Sequence, residues 1–338
     1  MTAPSPGTTA LVTGATGFVG SRVVRVLARH GVRVRVLSRR PDTARRLAPP
    51  GVEVVAGDLA DPASLRAAVT ARELVIHAAA RVSDWGPRSA FWDSNVEGVA
   101  NLLDACREAG VRRLVHLSSL TVLGLPRDGR VVDECSPVAT PAPGDHYSAS
   151  KLAGERLVQE AHGSAGLETT VVRPGAIWGP GDPNVLPRVL ALLRRGTMPV
   201  IDRGDNVLGL SHVDNLAPGI VLAAGAPAAA GRLYHLTDGE EVTALQALTM
   251  LAAALRVPPP RRSVPYGAIY AVAALVEGLA RLFRRSSAPP LSRYGVRFVA
   301  CHCRYDISRA RRELGYAPRI TFVDGVRGLR LASAGGPE

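Results

Sequence analysis

Tyr147 and Lys151 stand four residues apart in the string Tyr147-Ser148-Ala149-Ser150-Lys151. On a helix that spacing puts both side chains on one face, where they can act on one bound molecule. Lysine carries a compact ammonium that fits beside a small acid, whereas arginine carries a broad planar fork and essentially never deprotonates. Lys151 is the single lysine among 41 basic residues. Everywhere else that the chain needs a cation it uses arginine, so this position points to chemistry that arginine cannot do. The competing reading is one surface lysine in an ordinary i,i+4 pair.

A second constellation lies at the other end of the first half. Thr13-Gly14-Ala15-Thr16-Gly17-Phe18-Val19-Gly20 spaces its glycines G-x-x-G-x-x-G. Between a strand and a helix, such glycines allow a tight turn and let backbone approach a pyrophosphate, which then rests on the helix N-terminus. The second apolar run ends Val36-Leu37-Ser38-Arg39-Arg40-Pro41, with no acid before Asp42. NAD-binding chains usually place Asp or Glu there for the ribose 2′-hydroxyl. Ser38 and Arg39 instead suit a 2′-phosphate, which an arginine fork can grip, so NADP is the expected cofactor and NAD the alternative. Gly57-Asp58-Leu59 follows the third run, where Asp58 can reach the adenine amino group. His77-Ala78-Ala79-Ala80 follows the fourth, where small side chains leave room for a cofactor.

These residues need a scaffold that brings loop ends together. Short apolar runs at 9–13, 33–37, 52–56, 74–77, 113–118 and 169–173 alternate with amphipathic stretches at 19–30, 62–70, 95–109 and 148–165. That alternation predicts an α/β fold with a doubly wound parallel sheet. Gly31 and Gly110 fall where helix C-caps belong. After Pro174 the regularity weakens, with helical patterns at 183–195 and 243–255. We read 8–175 as the dinucleotide-binding unit, with later strands and helices contributed from 210–240, and 176–330 as a smaller, mainly substrate-binding part. The stretch 266–283 is apolar except for Glu277 and Arg281, and Arg284-Arg285 follow it. It is too short and too interrupted for a spanning helix. It reads either as a helix packed on the domain or as an interfacial helix with its arginines on anionic headgroups.

Of 338 residues, 46% are hydrophobic and 21% charged, which describes a globular chain. The net charge of +12 comes from scattered arginines, and with 4% aromatic residues there is no stacking platform, which argues against a nucleic-acid reader. Cys106, Cys135, Cys301 and Cys303 imply no disulfide framework. Cys301-His302-Cys303 lacks a second ligand pair at zinc spacing, so no metal is expected. Residues 1–9 show no signal-peptide pattern. A cytoplasmic protein, with possible contact to a membrane through 266–285, is the expectation.

Taken in order, T-G-A-T-G-F-V-G, Gly57-Asp58-Leu59, H-A-A-A, Asn95-Val96-Glu97-Gly98, Leu117-Ser118-Ser119, Y-S-A-S-K, Arg173-Pro174-Gly175-Ala176-Ile177-Trp178-Gly179-Pro180-Gly181-Asp182, Ser211-His212-Val213-Asp214-Asn215 and Leu314-Gly315-Tyr316-Ala317-Pro318 resemble the extended short-chain dehydrogenase/reductase superfamily over residues 9–330. The chain is most similar to its 3β-hydroxysteroid dehydrogenase branch and to bacterial reductases of long-chain 2-alkyl-3-oxo acids. Nucleotide-sugar enzymes usually carry Asn where this chain has Pro174 or Gly175, and sugar dehydratases carry an Asp-Glu pair where it has Leu120 and Thr121.

The resemblance implies a Rossmann fold and assigns roles. Tyr147 is the acid/base toward a carbonyl or alcohol. Its ordinary pKa near 10 calls for a neighbouring positive charge, which Lys151 supplies while bonding the nicotinamide ribose. Ser119 holds the substrate oxygen, with Thr121 as runner-up. Asn95 anchors the active-site strand through its backbone or a water. Gly14, Thr16, Gly17, Phe18, Val19, Gly20, Ser38, Arg39, Asp58, Leu59, Ala78, Ala79, Ala80, Asn95, Ser118, Tyr147, Lys151, Pro174, Gly175 and Ile177 form the cofactor site, with Pro174, Gly175 and Ile177 at the carboxamide. The expected activity is an NAD(P)-dependent oxidoreduction of a secondary alcohol and a ketone on a sterol-like or fatty 3-oxo/3-hydroxy acid. A nucleotide-sugar epimerase holding NAD tightly and a non-catalytic dinucleotide sensor are the alternatives. A homodimer through the helices at 95–109 and 148–165 is implied by resemblance.

Overall fold

Helices cover both faces of the central sheet, which is why β1, β4 and β5 bury residues on both of their faces. A computed structural model describes residues 3–283 and 287–334. In chain order the strands are β1 (Thr9–Thr13), β2 (Arg33–Ser38), β3 (Glu53–Ala56), β4 (Leu74–His77), β5 (Arg113–Leu117), β6 (Val131–Val132), β7 (Glu168–Pro174), β8 (Ala176–Trp178), β9 (Val200–Ile201), β10 (Leu210–His212), β11 (Leu233–Leu236), β12 (Ser263–Val264) and β13 (Arg304–Tyr305). The α-helices are α1 (Phe18–Arg29), α2 (Pro41–Leu47), α3 (Pro62–Val69), α4 (Arg88–Trp92), α5 (Gly98–Glu108), α6 (His146–Glu160), α7 (Val185–Arg194), α8 (Val213–Gly225), α9 (Ala244–Leu255), α10 (Tyr266–Leu282), α11 (Arg293–Val299), α12 (Ser308–Leu314) and α13 (Phe322–Ala334).

Among the described residues, seven strands form one parallel sheet in the order β11-β7-β5-β4-β1-β2-β3. The order reverses between β1 and β4, and in open sheets of this kind ligands bind in the crevice at such a switch point. On one face, Val23, Val24 and Leu27 of α1 and Leu216, Ile220 and Val221 of α8 pack with Ala310 and Leu314 of α12. On the other, α3, α5 and α6 bury Leu65, Leu102, Leu103 and Val158. The outer lobe has its own core, with Leu186, Leu193, Leu251 and Phe322 around Trp178.

β11 and α8 come from the 210–240 stretch and complete the sheet's layers. α12 does so as well, although it lies late in the chain. The helix expected over 148–165 starts earlier, at His146, and ends at Glu160, because Gly163 and Ala165 take positive φ of 80° and 51°. The helix expected over 95–109 is interrupted by a π turn over Asp93–Glu97. There the backbone bulges at Asn95, and Gly154 of α6 packs so close that a Cβ would sit 2.2 Å from the Asn95 carbonyl oxygen. α10 packs through Ala273, Glu277 and Ala280, while Val272, Leu275, Leu279, Leu282 and Phe283 are exposed. Its expected neighbours Arg284 and Arg285 lie outside the described residues. No described helix is long and apolar enough to cross a membrane.

Candidate active site

The glycine turn fits a dinucleotide by exclusion of side chains. Gly14 has φ +68°, and a Cβ there would come within 2.6 Å of the Ala79 backbone nitrogen. At Gly20 a Cβ would meet the Gly14 carbonyl oxygen at 2.2 Å. Both contacts require glycine, and they press β1, the Ala78–Ala80 loop and α1 together around one crevice. Gly17 caps α1 with no side-chain bond, so the first helical N–H groups are free to hold an anion. Thr16 and Gly17 are exposed at this turn. The Phe18 ring lies under the Arg22 guanidinium at 5.3 Å. The Thr13 hydroxyl takes the Ala79 N–H at 3.3 Å, which fixes the loop after β4.

At the adenosine end, Ser38 is buried and its hydroxyl accepts from the Arg40 N–H at 3.1 Å. Arg39 is 76% exposed and only brushes Asp58, at 4.0 Å. Asp58 caps its own turn through the Ala60 N–H at 3.0 Å. The Leu59 carbonyl accepts from Asn101 at 2.9 Å, and its side chain abuts Gly98.

Tyr147 is the second residue of α6, whose N-cap Asp145 accepts from the Ser148 N–H at 3.0 Å. Lys151 lies one turn on and is 3% exposed. Its ammonium donates to the Leu117 carbonyl at the end of β5. Burial pulls its pKa down to about 8, against a smaller upward pull from Glu155. Tyr147's phenol is pushed up by burial, and the nearby Ser119 hydroxyl pulls the other way. The Lys151 charge also bears on the buried, stacked imidazoles of His77 and His116, whose pKa values fall mainly through burial.

Ser119 is buried just beyond β5, and its oxygen accepts from the Thr121 hydroxyl at 3.1 Å. Ser118 is buried beside it and donates its N–H to the Val172 carbonyl at 2.8 Å. Asn95 uses its side chain. It holds the loop after β4 and helix α6, with its carbonyl accepting from the Arg81 N–H at 2.8 Å and its amide donating to the Ser150 hydroxyl at 3.0 Å. It does so with its side chain because the π turn aims it inward. Pro174 ends β7, Gly175 follows it and Ile177 lies in β8. The Gly175 N–H donates to the Ser211 hydroxyl at 2.9 Å, and a Cβ at Gly175 would lie 2.2 Å from the Gly209 carbonyl oxygen. Buried Asp238 holds this loop by accepting from Trp178 Nε1 at 3.1 Å and from the His212 N–H at 2.8 Å.

Two clefts lie at this site. One runs from Ser119 and Thr121 past Ile177 between Leu186, Leu248 and Phe298, and its walls are almost wholly apolar. The other contains Tyr147 with Trp85, His146, Arg281 and Tyr294. Sequence reasoning missed Tyr294, Ser211 and Asp238 as parts of this site. The Ser211-His212-Val213-Asp214-Asn215 string marked the second of these without giving it a task, and nothing in the sequence marked Tyr294.

The model of the NAD dependent epimerase/dehydratase family matches residues 10–236. The 2-alkyl-3-oxoalkanoate reductase of Shewanella oneidensis is 32% identical over 334 residues, covering 96% of this chain and 86% of that protein. Isoform 1 of the 3beta-hydroxysteroid-dehydrogenase/decarboxylase of Arabidopsis thaliana is 30% identical over 341 residues, covering 94% and 77%. Among solved structures, that of gox2253 superposes with a TM-score of 0.77 at 32% identity, covering 96% of this chain and 99% of that one.

Proposed function

The chain belongs to the NAD-dependent epimerase/dehydratase family as an NAD(P)-dependent oxidoreductase, and we propose that it interconverts a ketone and a secondary alcohol on a long-chain acid, a 2-alkyl-3-oxo or 2-alkyl-3-hydroxy acid, with NADP as the preferred carrier. One observation carries this reading: the apolar cleft ends at the hydroxyls of Ser119 and Thr121, so an alkyl chain laid in it delivers a polar carbon beside Tyr147. A nucleotide sugar would bury its hydroxyls against Leu, Val and Phe walls without partners, which is costly.

Bound in the glycine crevice, the nicotinamide supplies or accepts the hydride. The chain's own part is to position and polarise. Ser119 orients the substrate oxygen. Tyr147 gives it a proton in reduction and takes one in oxidation. Lys151 and the Pro174–Ile177 segment hold the nicotinamide half. Arg39, which is exposed and only loosely paired, is free to turn to a 2′-phosphate, and β2 ends with no carboxylate to repel one.

The exposed apolar stripe of α10, with Arg261 and Arg262 exposed just before it, supports peripheral contact with an anionic membrane, where such substrates partition. Protein that fails to float with anionic vesicles rules that contact out. The substrate test follows NADPH consumption with 2-alkyl-3-oxo acids, steroid ketones and nucleotide sugars. Turnover of the first class at the highest kcat/KM is expected. Sugar turnover without net use of added cofactor overturns the proposal in favour of an epimerase.

A further inference from the structure

Between β8 and α7 the chain makes a turn over Gly179-Pro180-Gly181-Asp182, closed by the Asp182 N–H donating to the Gly179 carbonyl at 3.1 Å. Pro180 in its second place and Gly181 at φ +84° in its third make it a type II turn. The Gly179 carbonyl closes the turn. The next carbonyl, that of Pro180, has no partner within it. Arg22 of α1, the helix that opens at the glycine crevice, donates to that carbonyl from Nη2 at 2.6 Å.

Both ends of this contact are held. Side chains on a helix lean toward its N-terminus, so Arg22 reaches back over the Phe18 ring toward the glycine turn, with its guanidinium 5.3 Å from the ring centre. A Cβ on Gly181 would lie 3.5 Å from Arg22 Nη2, in ordinary contact, so the guanidinium rests against the turn. Asp214 of α8 stands 3.7 Å from Nε, and the Arg22 side chain is 19% exposed. At the other end, Asp182 is buried, and its carboxylate accepts from the Asn184 and Leu186 N–H groups, each at 2.8 Å. That ties the turn to the start of α7. Leu186 and Val189 of α7 then line the apolar cleft together with Ala247, Leu248 and Leu251 of α9.

We propose that Arg22 is a positioning residue that sets the preference for long alkyl chains: it fastens the start of α7 to the dinucleotide helix, so that the wall gripping the chain keeps a fixed place over the cofactor. The inference rests on the functional reading of the preceding subsection.

The turn is the joint between two unlike supports. Before it, β8 is held by pairing with β10, Ala176 against Leu210. After it, α7 packs on the outer lobe through Leu186 and Leu193. A guanidinium–carbonyl bond is charge-assisted and stronger than a neutral one, and this one reaches the joint from the cofactor side. Without it the Pro180 carbonyl turns to water and α7 is free to shift at its start. Such a shift changes the contacts of the alkyl atoms that touch Leu186 and Val189. It leaves the reacting carbon at Ser119 in place. Each methylene in contact adds to binding, so the loss grows with chain length.

Arg22→Met tests this, because it keeps a long apolar stem over Phe18 and removes the donors. NADPH oxidation is followed with 2-alkyl-3-oxo acids of short and of long chain. KM for the long acids should rise roughly tenfold, the scale of one charge-assisted hydrogen bond, while KM for the short ones rises no more than about twofold. The kcat and the NADP affinity, read by fluorescence, should stay within a few-fold. Arg22→Lys, which keeps a cation and a donor, should restore most of the long-chain KM. Arg22→Gln, polar but too short to reach the turn, gives the same comparison if Arg22→Met does not fold. A second readout needs no turnover: hydrogen exchange over 179–190 should quicken in Arg22→Met and return in Arg22→Lys. A KM that rises equally for short and long acids overturns the chain-length role. A loss confined to NADP affinity overturns it in favour of Arg22 as a phosphate ligand, and unchanged KM and exchange overturn it outright. A wild-type protein that reduces none of these acids defeats the functional reading instead, while exchange over 179–190 still decides whether Arg22 holds α7.

Discussion

Replacing Lys151 by methionine should make the stability of the protein depend less on pH. Lys151 is 3% exposed and its ammonium is drawn from 10.5 to about 8 by burial. The unfolded chain therefore binds more protons at this site than the folded one between about pH 8 and pH 10.5, and stability rises with pH across that window. The folded charge is a cost below it, and that cost is relieved as the amine deprotonates. Integrating the two titrations, the wild type should gain about 2.5 kcal/mol relative to Lys151→Met between about pH 7 and about pH 10. Methionine also strands the Leu117 carbonyl, which now accepts from the ammonium, but that loss is the same at every pH and drops out of the difference. Urea unfolding of both proteins at a series of pH values, without cofactor, reads the effect as a changing gap between their free energies. A gap that stays constant within error from pH 7 to 10 refutes the reasoning, and so does one of the opposite sign. The expected sign means that the residue most specific to the site works against the fold at neutral pH.

Further outcomes follow from the same geometry. Tyr147→Phe should lower kcat by at least about a thousandfold while cofactor affinity, measured by fluorescence, stays within a few-fold. Gly20→Val should abolish dinucleotide binding, because its Cβ would sit 2.2 Å from the Gly14 carbonyl oxygen; retained binding in isothermal titration would contradict the crevice. Arg39→Asp should raise KM for NADP about tenfold or more with little effect on NAD. Arg173→Leu leaves Glu155, 1% exposed, without its bidentate partner and should cost about 3–5 kcal/mol in denaturant unfolding.

Six of the seven sheet strands were legible as short apolar runs bounded by turn signals, whereas β11, in the weakly patterned second half, was not read as a strand of its own. The glycine turn was legible because its residues are required by backbone contacts that no other residue type permits. Lys151 was legible through composition alone. What it donates to was not, since Leu117 is an apolar residue whose only stake is its carbonyl. Asn95 was marked as important, but its side-chain bonds to Arg81 and Ser150 were not read, because a π turn leaves no trace in the periodicity of 95–109. Tyr294 was invisible for a different reason: it is one aromatic in a weakly patterned segment, and its place is set by ion pairs and caps at Asp84, Glu277 and Ser292 that join three separated parts of the chain. Ser211 and Asp238 likewise act on backbone N–H groups, which sequence does not display.

The junction at Gly175 also limits how the molecule can move. The chain leaves the sheet through β7, crosses to the outer lobe, and comes back through β10 into α8. The two crossings are parallel neighbours: Ala176 pairs with Leu210, the Ala176 N–H donates to the Gly209 carbonyl at 2.7 Å, and the Ser211 hydroxyl ties Gly175 to the Leu236 carbonyl. A pair of strands bolted together in this way resists bending where a single linker would give. Hinging of the two lobes at this junction would have to break those bonds. Opening of the apolar cleft then falls to the helices at its rim, α7, α9 and α11.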